Sequence, residues 1–346
     1  LIARLHGIQS EAEMLLTYPY TPAISLVPGS VWDFAGGSAS PVRGGATLTF
    51  TRASAQTGFN SAGVMSSYAT DVPVYDYNPT TLAPLGLSMW EARTNLFLNS
   101  ALDGTALATQ GVTTTAQAYT VSFYGTGSIT FSGAFVGSLN GTGATDRVTT
   151  TFTPSAGTVT CTVSGSVKWA NFEVGSFATP FIVTAGASAT RAAPVCSTTN
   201  LGWYNQAEGT FVAVSLLGST FAQAEAAFDL HDGSTANRIV VRMNTAGPAI
   251  QSTIRSGAAT VATLTSTISP ATTQKKLAIA YKVNDFSQSV SGETCVTDSA
   301  GAVPVSPTTL LVGHAFGPAE WLNGWVSSLS YYPVRIADAT LQGLSA

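Results

Sequence analysis

The chain has 346 residues, of which only 9% are charged, and its net charge is −4. Ordinary soluble chains carry roughly 25% charged residues, yet the aromatic and β-branched content here is too high for a disordered chain. The acidic balance of 14 Lys and Arg against 18 Asp and Glu removes the cationic surface on which binding to a phosphate backbone depends, so no nucleic-acid partner is expected. No run reaches the ~18 consecutive apolar residues of a membrane-spanning helix, so no membrane insertion is expected either.

The first twenty residues, 1–20, read as a short helix. Leu1, Leu5, Ile8, Ala12 and Leu15 recur at spacings of 4, 3, 4 and 3, which sets them on one seam. That seam fits either an oligomerisation helix or an amphipathic helix packed on its own chain. Pro19 and Pro22 end it, since proline lacks the amide donor. These opening residues lack a charged stretch before an apolar core, so no secretory signal is expected. The chain starts at Leu1 rather than at methionine, which fits either processing or an earlier segment.

Residues 21–104 are rich in turns, with weak strands such as Ala46 to Phe50. Trp32, Phe34, Tyr68 and Tyr75 read as exposed aromatics that need a partner surface, so this stretch is expected to anchor the chain. From 105 to 184, short alternating strands near 121–123, 129–131, 148–152, 159–163 and 167–174 are separated by glycine turns. That spacing predicts an antiparallel sandwich. Cys161 alternates with Val159 and Val163 and reads as a small core residue. Residues 185–202, rich in Ala, Ser, Thr and Gly, read as a linker. A second sandwich is expected over 203–346, with strands near 209–216, 225–231, 238–244, 249–255, 259–266, 275–283 and 324–332. A short closing helix carries Ile336, Thr340, Leu341 and Leu344 on one face. The fold class is therefore all-β: two tandem antiparallel sandwiches after a turn-rich segment with a short helix.

Two stretches carry a family resemblance. Arg52-Ala53-Ser54, Phe59 to Val64, Val72 to Pro79, Gly86-Leu87 and Glu91-Ala92-Arg93-Thr94-Asn95-Leu96 together resemble a segment of tailed-bacteriophage surface proteins, such as tail fibres, spikes and head fibres or decorations. Val74 stands where that family usually has arginine, and Met89-Trp90 where it has an aliphatic pair. The region from Gly209 to the end, above all Leu322 to Val326 and Leu329 to Gln342, is similar to the laminin-G or concanavalin-like modules that close many such proteins. Phe172 to Gly175 with Thr179 to Ile182 resembles a carbohydrate-module-like sandwich placed between the two. The resemblance implies a structural protein on the virion surface, with capsid or tail proteins and a host cell-surface glycan as partners. It also implies a homotrimer, to which the Leu1–Leu15 seam would contribute. Head and tail locations both remain open, and a decoration protein without a ligand is the competing role.

Glycoside hydrolysis usually needs two carboxylates about 5–10 Å apart, and Glu225 with Asp229, four apart on one strand, form the pair to test. The third acid typical of the glucanases of this fold is absent, so no enzyme is expected. His6, His231 and His314 are too scattered for zinc. Glycan contact is expected at Trp321 and Asn323, with Asp229, His231 and Asp232 near the rim. Those last three fit either a calcium site or an ordinary loop; no cofactor is otherwise expected. Trp325, beside Val326 in a strand, reads as core.

Overall fold

The computed structural model describes residues 27–218, 224–244, 249–268, 273–317 and 320–346. The seam of Leu1, Leu5, Ile8, Ala12 and Leu15 lies outside them. The described residues form two β-sandwiches, and the smaller is inserted into the larger. Among the described residues no helix is long and apolar enough to cross a membrane.

The larger sandwich has sheets of eight and seven strands. The eight-stranded sheet runs Val296–Asp298, Asp285–Val290, Lys275–Lys282, Glu208–Leu217, Gly324–Tyr332, Pro84–Met89 and Tyr75–Tyr77, and Ser30–Asp33 also pairs with Gly324–Tyr332. Its partner runs Thr49–Thr51, Val195–Thr198, Thr309–Val312, Glu225–His231, Arg238–Asn244, Gln251–Ser256 and Ala259–Thr265. Alternation dictates the faces, because successive side chains on a strand point opposite ways. Leu277, Ile279 and Tyr281 enter the core with Phe211, Phe228 and Tyr331. Ala278 and Ala280 point outward, where Ile336 and Leu341 cover them. Leu341 belongs to the closing helix, Asp338–Ser345. Both faces of Lys275–Lys282 are thereby buried, which explains its nearly continuous apolar run.

The smaller sandwich packs a four-stranded sheet (Gly137–Asn140, Ser128–Gly133, Gly157–Ser164 and Gln110–Thr114) on a three-stranded one (Gly143–Phe152, Tyr119–Gly125 and Lys168–Val174). Phe97, Phe123, Phe131 and Phe172 fill its core, and Cys161 is buried among them.

The segment expected as an anchor, 21–104, folds differently. Trp32 and Phe34 are fully buried in the large core, and Trp32 Nε1 donates to Ala46 O at 2.9 Å. Tyr75 packs partly buried against the same core. The surface these aromatics need is supplied by this chain's own C-terminal half: Trp32 lies opposite Leu329, and Leu87 opposite Val326. Residues 185–202, expected as a linker, instead contribute Ala189–Arg191 and Val195–Thr198. Ala189–Arg191 pairs antiparallel with Arg93–Asn95, so the chain's paths into and out of the small sandwich form one two-stranded stem. Arg191, fully buried, donates to Trp90 O (3.2 Å) and Glu91 O (2.6 Å) and ties that stem to the large sandwich.

Candidate functional site

The residues singled out in the sequence are mostly occupied by the fold. Asp229 is fully buried on the outward face of the seven-stranded sheet. Its Oδ2 accepts from Arg238 Nη1 at 3.3 Å and from Phe316 N at 3.0 Å. Burial, opposed by Arg238, pushes its carboxyl up to about 6. Glu225, four positions before it on the same strand, is fully buried as well. His231 Nδ1 accepts from Gly233 N at 2.9 Å, and its ring lies 4.7 Å from Phe316. Asp232 organises the following turn by accepting from Ser234 N, Ser234 Oγ and Asn237 Nδ2. These hydrogen bonds, Ser234 first, lower its pKa. Among the described residues no group of three or more His, Cys, Asp or Glu side chains is placed to hold a metal.

Trp321 is partly buried, stacks on His314 (6.1 Å between centroids, 17°) and donates from Nε1 to Pro194 O at 3.1 Å. Asn323 is fully buried with φ +51°. Its Oδ1 accepts from Glu91 N at 2.9 Å, and its Nδ2 faces Glu91 Oε2 and Trp321 O at 3.3 Å each. It fastens residue 91 to the last strand rather than facing a ligand.

A concave feature lies elsewhere, in the cleft between the two sandwiches. It encloses about 480 Å³, within the usual range for ligand pockets. The larger sandwich supplies Asp76, from Tyr75–Tyr77, and Trp325, from Gly324–Tyr332. Val326 enters the core, so its neighbour Trp325 must point the other way. Trp325 is therefore partly exposed and lines the cleft, not the core as its sequence position predicts. Its Nε1 donates to Asp76 Oδ2 at 3.0 Å. Asp76 Oδ1 accepts from Phe59 N (2.7 Å) and Tyr77 N (3.0 Å), so one carboxylate joins the Gln56–Phe59 strand, its own strand and the indole. Burial outweighs these donors and lifts its carboxyl to about 6.

Trp90 meets Trp325 edge-on at 5.3 Å and 85°. Gly218 makes room for it, since a Cβ there would lie 1.9 Å from Trp90 Cη2. On the opposite wall, Tyr124 and Arg147 come from adjacent strands of the small sandwich. Arg147 Nη2 donates to Ser122 Oγ at 2.8 Å and Thr179 O at 2.5 Å. Its guanidinium carbon lies 5.9 Å from the Tyr124 ring centroid. Phe59, Tyr124 and Trp169 form a mutual set of edge-on contacts between 5.5 and 6.0 Å, which fixes both walls relative to each other. Thr149 and Thr151, both exposed, add hydroxyls to the lining. The cleft therefore offers flat aromatic surface beside a carboxylate, a guanidinium and hydroxyls. Sequence reasoning missed it because residues that form it, such as Asp76 and Trp325, lie 249 positions apart.

No family model matches the chain, and no curated protein matches it. Among solved structures it is similar to the CBM40 of the Ruminococcus gnavus IT-sialidase bound to α2,3-sialyllactose. The identity is 14%, with 41% of this chain and 84% of that one covered at a TM-score of 0.35. It is similar to the NanB sialidase from Streptococcus pneumoniae at 14% identity, with 43% of this chain and 26% of that one covered and a TM-score of 0.35. A heptameric SAP-like pentraxin from Limulus polyphemus overlaps at 10% identity, 40% and 70% coverage, and a TM-score of 0.32. These overlaps take in less than half of the chain and carry nothing about its ligand.

Proposed function

We propose that the protein binds a saccharide in the cleft between its sandwiches. The observation that carries this reading is the pairing of Trp325 with Asp76 on one wall and of Tyr124 with Arg147 on the other. A sugar ring has C–H faces that pack on aromatic rings and hydroxyls that need donors and acceptors; a pocket with a few placed polar groups meets both needs. Binding without hydrolysis fits better than catalysis, because Asp76 is the one acid among the described residues lining the cleft and both its oxygens already accept protein N–H groups. We further propose that the chain is a structural protein of a tailed-phage virion surface, with the cleft serving attachment to a host glycan. That setting is supported by the resemblance over Arg52–Leu96 and Gly209–Gln342, and a homotrimer by the Leu1–Leu15 seam. A glycan array probed with the full chain and with Trp325→Ala tests the binding. Retention of a glycan set by the native protein and its loss in the variant is the expected result. Equal retention by both would overturn the cleft as the site.

A further inference from the structure

Away from the cleft, the outward face of the seven-stranded sheet carries a row of nitrogen donors. Antiparallel register sets His231 opposite Arg238, and Arg238 opposite Arg255. Directly opposed residues share a face and lie within side-chain reach. Thr309 extends the row beyond His231, and Thr260 beyond Arg255. Five adjacent positions across the sheet thus hold two hydroxyls, an imidazole and two guanidiniums, with no carboxylate among them.

Such a row is unfavourable by itself, since like charges directly opposite on neighbouring strands repel. The acids nearby neutralise only its Arg238 end. Asp229 meets Arg238 through one oxygen at 3.3 Å, and Glu320 is taken by Arg242 at 3.0 Å. Asp232 is taken by Ser234 and Asn237. No carboxylate pairs with Arg255 among the described residues; its Nη2 donates to Ala258 O at 2.6 Å. Three donors in the row are buried with no acceptor: Nε2 of His231, Nε of Arg238 and Nε of Arg255. His231 Nδ1 already accepts an N–H, so its neutral ring carries the proton on Nε2. His231 is 3% exposed and Arg238 6%, whereas Arg255 is partly exposed. The row therefore has a buried floor and an open end.

We propose that this row is an oxyanion site, independent of the cleft, that takes the carboxylate or sulfate substituent of an acidic polysaccharide. A planar guanidinium presents a fork of donors matched to two oxygens of one anion, and an anion seated by Arg255 would also relieve the repulsion between the two arginines. Calorimetric titration of the full chain with glucuronate and with inorganic sulfate tests it, using the native protein, Arg255→Gln, Arg255→Lys and the cleft variant Trp325→Ala. Saturable binding of at least one anion is expected in the native protein and in Trp325→Ala. It should weaken at least tenfold in Arg255→Gln and less in Arg255→Lys, with unfolding midpoints confirming that both variants fold. Preference for glucuronate assigns a planar carboxylate, and preference for sulfate a tetrahedral group. No saturable binding by the native protein, or unchanged binding in Arg255→Gln, would overturn the proposal. Loss in Trp325→Ala with retention in Arg255→Gln would place the anion in the cleft instead. Arg255→Gln should still bind the array glycans of the cleft, so failure of one site leaves the other readable.

Discussion

Asp76→Asn isolates the group that holds the cleft together. Asparagine keeps an oxygen for Phe59 N and Tyr77 N but turns an amide toward Trp325 Nε1, where two donors then face each other. That loss is about 1 kcal/mol at every pH. The pH-dependent part is larger and has a definite sign. The Asp76 carboxyl rises from 3.8 to about 6 on folding because burial outweighs its three donors. Between those values the folded protein holds a proton that the unfolded chain has released, so stability falls as pH rises. At about 1.4 kcal/mol per tenfold change in proton binding, the stabilisation present below pH 4 and lost above pH 6 is about 3 kcal/mol. Asparagine does not titrate, so the variant escapes this loss. Urea unfolding of both proteins from pH 4 to pH 7.5 measures the difference directly. Asp229, which rises in the same way, is common to both and cancels. The variant should gain about 2.4 kcal/mol relative to the native protein across that range, because the unfolded carboxyl is already more than half ionised at pH 4. A difference that stays flat, or that moves the other way, would show that the three N–H donors outweigh burial and refute the reasoning.

Three further outcomes follow from the geometry. Gly86→Ala places a Cβ 2.2 Å from Val326 O at a φ of +110°, and should cost about 2–4 kcal/mol in urea unfolding. Gly218→Ala drives a methyl into Trp90, so it should shift tryptophan fluorescence and weaken cleft binding at least fivefold. Arg191→Met removes the donors that tie Trp90 O and Glu91 O to the stem; calorimetric scanning should show a loss of about 2–4 kcal/mol and separate melting of the two sandwiches.

The all-β class and the long strands were legible because period-two alternation is strong over seven or more residues. Arg238–Asn244, Lys275–Lys282 and Gly324–Tyr332 lie where the pattern puts them. The short strands carried no such signal. Ser30–Asp33 and Thr49–Thr51 are four and three residues long, and their partners, Gly324–Tyr332 and Val195–Thr198, lie some 150 to 300 positions away in the chain. Turn-rich sequence with aromatic residues therefore resembled an anchor in search of a partner, when that partner was the rest of the chain. Trp325 shows a second limit. Alternation states that Trp325 and Val326 face opposite ways, but not which of them meets the core. The polar candidates show a related limit: Asp229 and His231 lie two positions apart in the sequence and Asn323 lies far from both, and only the fold shows that Phe316, Gly233 and Glu91 take part of their hydrogen-bond capacity. Asp76, between two tyrosines, gave no chemical signal until the fold set it beneath Trp325.

The claim that the cleft binds saccharide is tested most directly by calorimetric titration of a glycan identified on the array into the native protein and Trp325→Ala. Saturable one-to-one binding per chain, weakened at least tenfold by the substitution while the unfolding midpoint shows a folded variant, is the predicted result. Identical affinity in the two proteins would contradict it.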